Sequence, residues 1–127
     1  MTAATLLGVD VGTTGVRAAA IDATGRVLGA ALVPCPHQAP APGRAEADPA
    51  SWWGAVRSAC ARLAGSVALD RVDAVGVTGQ APTAVVVDGA GRPLRPAILW
   101  LDVRAAAEAR AIEAALGPDA EAIGGNR

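Results

Sequence analysis

The segment that most constrains the fold is a short polar cluster, DVGTTG at positions 10–15, set between two apolar runs. The flanking runs, Thr5 to Val11 and Val16 to Ile21, are typical of strands, and the cluster between them is typical of a tight turn. The cluster contains neither the GxxxxGK nor the GxGxxG pattern, and it leads into a strand instead of a helix. Both common phosphate-binding loops are therefore excluded, and a β-hairpin is predicted.

The residues of this hairpin also suggest chemistry. Small residues at a turn let backbone N–H groups approach an anion, the hydroxyls of Thr13 and Thr14 add donors, and the Asp10 carboxylate can hold Mg²⁺ through its waters. Arg17 lies two residues beyond the turn, where it either neutralises phosphate charge or is a solvated arginine on the outer face of a strand. The whole motif is either a phosphate site or simply a glycine- and threonine-rich turn with an aspartate cap.

Further turn signals extend the hairpin into a meander. Asp22 to Gly25 predicts a turn with Gly25 at positive φ, and Arg26 to Val33 predicts a third antiparallel strand. The stretch from Pro34 to Pro49 holds five of the nine prolines, so it is predicted to be an extended surface loop without a helix.

A helix and a parallel strand are predicted next. Asp48 is a good N-cap, Pro49 suits the first helical position, and the helix ends near Gly65. Its buried face is predicted at helical spacing to contain Trp53, Val56, Cys60 and Leu63. The run from Asp70 to Thr78 predicts a buried strand, reached through the helix by a right-handed crossover, with inward-facing Val72, Val75 and Val77.

The remaining elements are shorter. After a loop at 79–82, strands are predicted at Thr83 to Val87 and Pro96 to Trp100, separated by a turn at 88–91. Asp102 is predicted to cap a second helix that ends at the Gly-Pro pair 117–118. One face of that helix carries Ala105, Ala109, Ile112 and Leu116. Together these elements predict an α/β domain with a mixed sheet.

Composition and charge exclude several functions. A net charge of -1 with scattered arginines argues against nucleic acid as a partner. Cys35 and Cys60 are far apart and His37 is the single histidine, so neither a zinc site nor a disulfide is predicted, and a reducing cytoplasm is expected. With no signal-like segment and no apolar run near the roughly 18 residues that span a bilayer, neither export nor membrane anchoring is expected.

The motifs, taken in order, resemble a known family. The pattern DxGTTxxR at 10–17 resembles the phosphate signature of the actin-like ATPase superfamily. EADP at 46–49, WW at 52–53, VTGQ at 77–80 and the run GRPLRPAILWLDVR at 91–104 follow it. This series, from about Leu6 to Arg127, resembles the N-terminal domain of the FGGY carbohydrate kinases, and xylulokinases are the members it resembles most.

The resemblance implies a fold and a set of roles. Each half of such a kinase has a ribonuclease H-like fold of the actin-like ATPase type, and the two halves border a cleft. Residues 1–127 would be an incomplete N-terminal domain without the C-terminal one. The residues that would face ATP and Mg²⁺, with Asp10 as metal ligand, are Asp10, Gly12, Thr13, Thr14 and Arg17. The residues on the substrate side would be Gln80, Ala81, Pro82 and Asp102.

One departure bears on the substrate. Xylulokinases carry Met-His after the Gly-Gln pair and glycerol kinases carry Arg-Glu after the equivalent Gln, whereas this chain has Ala81-Pro82. Neither of those side chains donates a hydrogen bond, so the pocket is expected to be lined differently. Two residues also have plain structural interpretations, because Gln80 could bond loop backbone and Asp102 is an acceptable N-cap.

The resemblance places the catalytic base beyond Arg127, so the chain alone is expected to turn over no sugar and to bind nucleotide at best weakly. The expected partners are ATP and a sugar or polyol, with a homodimer compatible with the full-length enzyme. Two alternatives stay open: a nucleotide-binding module of the actin or chaperone type, and a non-catalytic structural fragment. The Trp-x-Asp-x-Arg block at 100–104 argues against the first.

Overall fold

The structure is a computed structural model that describes residues 4–120. Its strands and helices, in chain order, are β1 (Thr5–Val11), β2 (Gly15–Asp22), β3 (Val27–Pro34), β4 (Glu46–Ala47), α1 (Pro49–Leu63), β5 (Ala74–Gly79), β6 (Ala97–Ile98) and α2 (Ala106–Leu116). Single 3₁₀ turns follow α1 and α2. Four strands form the main sheet in the order β3-β2-β1-β5, and β4 pairs with β6 in a second, small sheet.

The predicted meander is confirmed. Strand β1 pairs antiparallel with β2, and β2 pairs antiparallel with β3. Gly25 has a φ of +86°, a left-handed conformation that glycine adopts at little cost, as the turn prediction required. The third strand begins at Val27, one residue later than predicted.

Strand β5 is parallel to β1 and follows α1 in the chain, as predicted. The prediction that it is buried was wrong, because Val75 and Val77 are 59% and 73% exposed. The physical reason is position: β5 is an edge strand, and α1 packs mainly on β2 and β3. Of the three valines predicted to be buried, only Val72, which lies just before the strand, packs against the hydrophobic cluster between α1 and the main sheet.

Helix α1 begins as predicted, with the Asp48 carboxylate accepting a hydrogen bond from the Ala50 amide at 2.9 Å. Its buried residues are Ala55, Ala59 and Leu63. Trp53 was predicted to lie in the core, which was wrong because its side chain is 65% exposed. Trp52, one position earlier, completes the buried stripe instead and contacts both hydrophobic clusters.

The core between α1 and the sheet is made mostly of small residues. Ala18 and Ala20 on β2 and Ala59 on α1 are almost fully buried, and Leu63 and Val16 are the largest side chains without appreciable exposure. Close approach is therefore essential here: a methyl group at Gly29 would lie 2.9 Å from Leu63 Cδ1. Tight packing of this kind tolerates added volume poorly.

The segment after β5 is less regular than predicted. The strand predicted at 83–87 was wrong: only isolated bridges occur, at Ala84–Ile98 and Val87–Pro93, and the strand predicted at 96–100 is reduced to the two residues of β6. Prolines at 82, 93 and 96 lack the N–H group that a continuous ladder needs. The turn at 88–91 is confirmed, with Gly91 at a φ of +77°.

Within the proline-rich stretch the absence of a helix is confirmed, although β4 and a bridge from Gln38 to Glu46 give it partial β structure. Helix α2 differs from the prediction at its start, where Ala105 is the N-cap and makes no side-chain capping bond. Asp102 as the cap was wrong because its carboxylate is committed elsewhere. Helix α2 buries no side chain against the described residues, and Ile112 is 59% exposed. No helix between residues 4 and 120 is both long and apolar enough to cross a membrane.

Candidate phosphate and substrate site

The turn that joins β1 to β2 has unused hydrogen-bond donors. Its closing bond runs from the Gly12 amide to the Gly15 carbonyl at 3.0 Å, and the Thr14 carbonyl accepts a bond from the Cys35 amide. Thr14 is exposed and Thr13 half-buried. Among residues 4–120 no oxygen accepts a hydrogen bond from the amide of either threonine. An accessible turn with free N–H groups is what an anion site requires.

The two glycines of this turn are needed for packing. Neither has a positive φ. A methyl group at Gly15 would lie 2.8 Å from the Val33 carbonyl oxygen, and one at Gly12 would lie 3.1 Å from the Gly15 carbonyl oxygen. Backbone oxygens cannot move away cheaply, so a side chain at Gly15 would force the backbone to shift, and one at Gly12 would require a smaller adjustment of the turn.

Asp10 and Arg17 face each other across β1 and β2, next to the turn. Their side chains are 40% and 61% exposed, and Arg17 Nη1 lies 3.4 Å from Asp10 Oδ2. Both residues border a groove of about 460 Å³ on the sheet face opposite α1. An exposed pair of this kind contributes little to stability, roughly 0–1 kcal/mol, so both groups can be redirected to a ligand.

The donor set fits magnesium in one specific way. Between residues 4 and 120 no cluster of three or more His, Cys, Asp or Glu side chains could enclose a metal ion. Mg²⁺ commonly takes one or two carboxylates and draws its other ligands from water and substrate phosphates. A single accessible carboxylate at Asp10, beside a turn of free amides, meets that requirement.

Gln80 lies at the carboxyl end of β5 and is tied to the end of β1 by a bond from its amide to the Val11 carbonyl at 3.0 Å. Its side-chain Oε1 and Nε2 are buried and have no partner among the described residues, and Thr83 Oγ1 is in the same state. Leaving such groups unpaired costs about 1–3 kcal/mol each, so they favour a polar ligand or water. The expectation that the Gln80 side chain bonds loop backbone does not match this arrangement.

Ala81 and Pro82 follow Gln80 on the surface, joined by a cis peptide bond. Both side chains are apolar, as the sequence requires. Neither side chain can form a hydrogen bond with the buried carboxamide of Gln80.

Trp100 joins the later segment to the hairpin. Its indole Nε1 donates to the Thr13 hydroxyl oxygen at 3.0 Å, across 87 positions of sequence. The sequence places Trp100 in the Trp-x-Asp-x-Arg block, but no local pattern predicts a hydrogen bond from its indole to the hairpin. The structure singles out Trp100 because it is 53% exposed and yet its N–H group donates to the β1–β2 turn.

Asp102 lies two residues further on and is saturated with internal bonds. Its side chain is 1% exposed and accepts hydrogen bonds from the Ala45 amide at 2.8 Å and from Arg104 Nη2 at 2.6 Å, Arg104 Nε at 2.8 Å and the Arg104 amide at 3.0 Å. The bonds from the Arg104 side chain are the main reason that the pKa of Asp102 lies well below its usual value. The same bonds raise the pKa of Arg104 further, with help from Glu46 at 2.6 Å.

The predicted site residues thus divide into two groups. The structure brings together the hairpin residues, Gln80 and Trp100 at one end of the sheet, where β1 and β5 both finish. Asp102 supports this end through the backbone of Ala45 instead of presenting its carboxylate to the turn.

Comparison with known proteins agrees with this geometry. The model of the FGGY family of carbohydrate kinases, N-terminal domain, matches residues 5–122. The chain is 38% identical over 120 residues to a xylulose kinase of Escherichia coli strain K12, covering 94% of this chain and 25% of that protein. It is 34% identical over 100 residues to a glycerol kinase of Aquifex aeolicus, covering 78% of this chain and 20% of that protein.

Structural similarity gives the same answer. The crystal structure of xylulose kinase from Rhodospirillum rubrum matches with a TM-score of 0.83 and 32% identity, over 91% of this chain and 24% of that one. The chain therefore spans about a quarter of the length of the relatives it matches. The predicted fold, part of a ribonuclease H-like domain of the actin-like ATPase type, is confirmed. By its motifs, its sheet topology and these matches, the chain belongs to the FGGY family of carbohydrate kinases, within the N-terminal domain.

Proposed function

We propose that the protein carrying this chain is an ATP-dependent kinase that transfers the γ-phosphate of ATP to a hydroxyl of a sugar or polyol. The observation that carries this proposal is the placement of two kinds of unsatisfied group at one end of the sheet. The free amides of the β1–β2 turn suit a polyphosphate, and the unpaired amide of Gln80 suits a hydroxylated molecule. Family membership supports both assignments.

The phosphate-side roles follow from exposed donors and charge. The amides and hydroxyls of Thr13 and Thr14 bind phosphate oxygens, and Arg17 offsets negative charge. Gly12 and Gly15 keep the turn small enough to close. Asp10 holds Mg²⁺, which when bound would neutralise charge on the phosphates. Charge-assisted hydrogen bonds of this kind contribute about 1.5–3 kcal/mol each.

The substrate-side roles rest on Gln80. A carboxamide offers one acceptor oxygen and two donor hydrogens, and a sugar hydroxyl can both donate and accept, so one hydroxyl pair can satisfy both buried atoms. Ala81 and Pro82 supply an apolar wall. Asp102 was predicted on this side as well; it would have to release Arg104 to bond a sugar, so we assign its contribution to holding the segment in place.

We favour a pentulose such as xylulose as substrate. Support comes from the similarity to proteins named xylulose kinase in E. coli and R. rubrum. The catalytic base is expected outside residues 1–127, as the family resemblance implies. ATP and Mg²⁺ as cofactors, a homodimer and a cytoplasmic location belong to the same prediction.

The test is a coupled assay of ADP release by the longest polypeptide that carries this sequence. It would be supplied with ATP, Mg²⁺ and a panel of pentuloses, glycerol, other polyols and aldonates. Gln80→Ala is expected to lower kcat/KM for the sugar about 10- to 100-fold, since about 1–3 kcal/mol of bonding is lost, with little change in KM for ATP.

The matched control is Gln38→Ala, at an exposed position of the proline-rich loop, which should leave both constants unchanged. Glycerol used better than every pentulose would overturn the substrate preference alone. If no compound of the panel led to ADP release, the kinase proposal would be overturned, and the nucleotide-binding module or the non-catalytic fragment would be favoured.

A further inference from the structure

The hydrogen bond between Trp100 and Thr13 has a fixed direction. An indole Nε1 can only donate, so the Thr13 hydroxyl oxygen, 3.0 Å away, must accept. A hydroxyl that accepts one bond keeps its own proton for another acceptor. No described residue accepts that proton. The proton is therefore held away from the indole and free for a ligand.

The tryptophan is itself held firmly. Trp100 is the second residue of a four-residue turn closed by a bond from the Asp102 amide to the Leu99 carbonyl at 2.9 Å. Both ends of this turn bond to the backbone of one residue, because the Leu99 amide donates to the Ala45 carbonyl at 3.1 Å and the Ala45 amide donates to the Asp102 carboxylate at 2.8 Å. Leu99 is 2% exposed and belongs to the second core cluster.

We propose that Trp100 is a positioning residue that orients the Thr13 hydroxyl as a hydrogen-bond donor to a phosphate oxygen of the bound nucleotide. The proposal rests on the function proposed above and adds to it a long-range contact that couples the Leu99–Asp102 turn to the phosphate turn. Without the indole N–H group, the Thr13 hydroxyl can rotate to other acceptors and its contribution to anion binding falls.

The test is a double-variant cycle in the longest polypeptide that carries this sequence, with ATP–Mg²⁺ as the probe. Trp100→Phe keeps a flat ring and removes the N–H group, and Thr13→Val keeps the shape of the side chain and removes the hydroxyl. Each is expected to raise the Kd for ATP–Mg²⁺ about two- to tenfold, the factor for one hydrogen bond. The double variant should be no weaker than Thr13→Val alone, because both changes act through the same hydroxyl.

Two further variants separate positioning from folding. Thr13→Ser restores a hydroxyl and should recover binding when Trp100 is present but not in the Trp100→Phe background. Trp53→Phe changes an exposed tryptophan on α1 and should leave the Kd unchanged. Thermal unfolding of every variant shows whether the fold is retained.

The outcomes are distinct. Additive effects of Trp100→Phe and Thr13→Val, or an unchanged Kd in Trp100→Phe, overturn the positioning role while leaving the kinase proposal intact. If the parent protein releases ADP with sugar and Thr13→Val binds ATP–Mg²⁺ with the same Kd as the parent, the donor role of the Thr13 hydroxyl is also overturned. A parent protein that binds no ATP–Mg²⁺ overturns the proposed function and this inference together.

Discussion

Two turns of the same meander differ in where their amide hydrogens are used. In the β2–β3 turn, Asp22 Oδ1 accepts bonds from the Thr24 amide at 2.9 Å, the Thr24 hydroxyl at 2.6 Å and the Arg26 amide at 3.1 Å. In the β1–β2 turn no carboxylate lies inside, and the amides of Thr13 and Thr14 have no acceptor between residues 4 and 120. Similar residue types therefore give one turn whose amides bond to its own aspartate and one whose threonine amides have no acceptor in the described part of the chain.

The position of the aspartate decides which kind of turn forms. Asp22 is the first residue of its turn in the sequence DATGR, and Asp88 has the same place in DGAGR, where it accepts bonds from the amides of Ala90 and Arg92. Asp10 instead lies within β1, two residues before its turn, and its carboxylate faces Arg17. In this chain, a turn whose amides bond to its own aspartate therefore has that aspartate at its first position and an arginine four residues later, with a glycine just before the arginine.

The largest expected difference comes from removing each aspartate charge. If the proposed function holds, Asp10→Asn should lower kcat/KM for ATP in the longest polypeptide that carries this sequence about a hundredfold or more, because metal neutralisation of phosphate charge is worth several kcal/mol. Asp22→Asn should leave kcat/KM within about twofold and lower the free energy of unfolding instead. Steady-state kinetics with saturating sugar, together with urea unfolding, measures both.

If Asp10→Asn and Asp22→Asn were equally well folded and lost equal activity, the assignment of Asp10 to activity and Asp22 to stability would be contradicted. An Asp10→Asn protein that keeps its Mg²⁺-dependent activity would also contradict it. Asp70→Asn, at another exposed position, serves as the control for charge alone.

The next difference concerns one glycine from each turn, Gly15 in the β1–β2 turn and Gly25 in the β2–β3 turn. Gly15→Ala should lower the free energy of unfolding by about 1–3 kcal/mol, since its methyl group meets a backbone oxygen. Gly25→Ala should cost about 1 kcal/mol, because its surroundings are open and only the left-handed φ is unfavourable. Asparagine tolerates that φ, so Gly25→Asn should recover most of the loss, whereas Gly15→Asn should be no better than Gly15→Ala. The distinction would be refuted if exchanging alanine for asparagine raised the urea unfolding midpoint equally at positions 15 and 25.

The smallest difference appears only in acid. The bond from the Thr24 hydroxyl is the first cause that lowers the pKa of Asp22 from 3.8 to about 2. A lowered folded-state pKa means that Asp22 adds stability above about pH 4, and that this contribution disappears as the pH falls toward 2. The stability gap between the parent and Asp22→Asn should therefore close across that window in denaturant titrations at pH 5, 4, 3 and 2. Thr24→Val should reduce the pH dependence, and a gap that stays constant would be the contrary result.

Local sequence was enough for the elements whose signals are local. The meander, its turns and the start of α1 follow from strand-forming runs, turn residues and an Asp-Pro start, all within a few positions. The burial of β5 could not be predicted in this way, because it depends on which elements cover an edge strand. Trp52 and Trp53 fit neighbouring helical stripes equally well, and only the packing of α1 on the sheet selects Trp52.

The site shows the same division. The turn at 10–15 could be predicted from spacing, since its geometry depends on one hairpin, and the roles of its residues stay a prediction. Asp102 was mistaken for a helix cap because the arginine two positions later competes for its carboxylate, a preference that no capping rule contains. The bond from Trp100 to Thr13 could not be predicted, because the two residues are distant in sequence and the bond depends on the second sheet as well as the first.

The Leu99–Asp102 turn is anchored through the backbone N–H and C=O groups of Ala45, and this has a consequence for sequence drift. Peptide groups are common to all residues, so exchange of Ala45 for another small residue leaves both anchoring bonds available, while burial at 3% exposure excludes large ones. Proline alone would delete the donor. The geometry around Trp100 therefore depends on main-chain groups of residue 45, and homologues could keep it with little identity at that position.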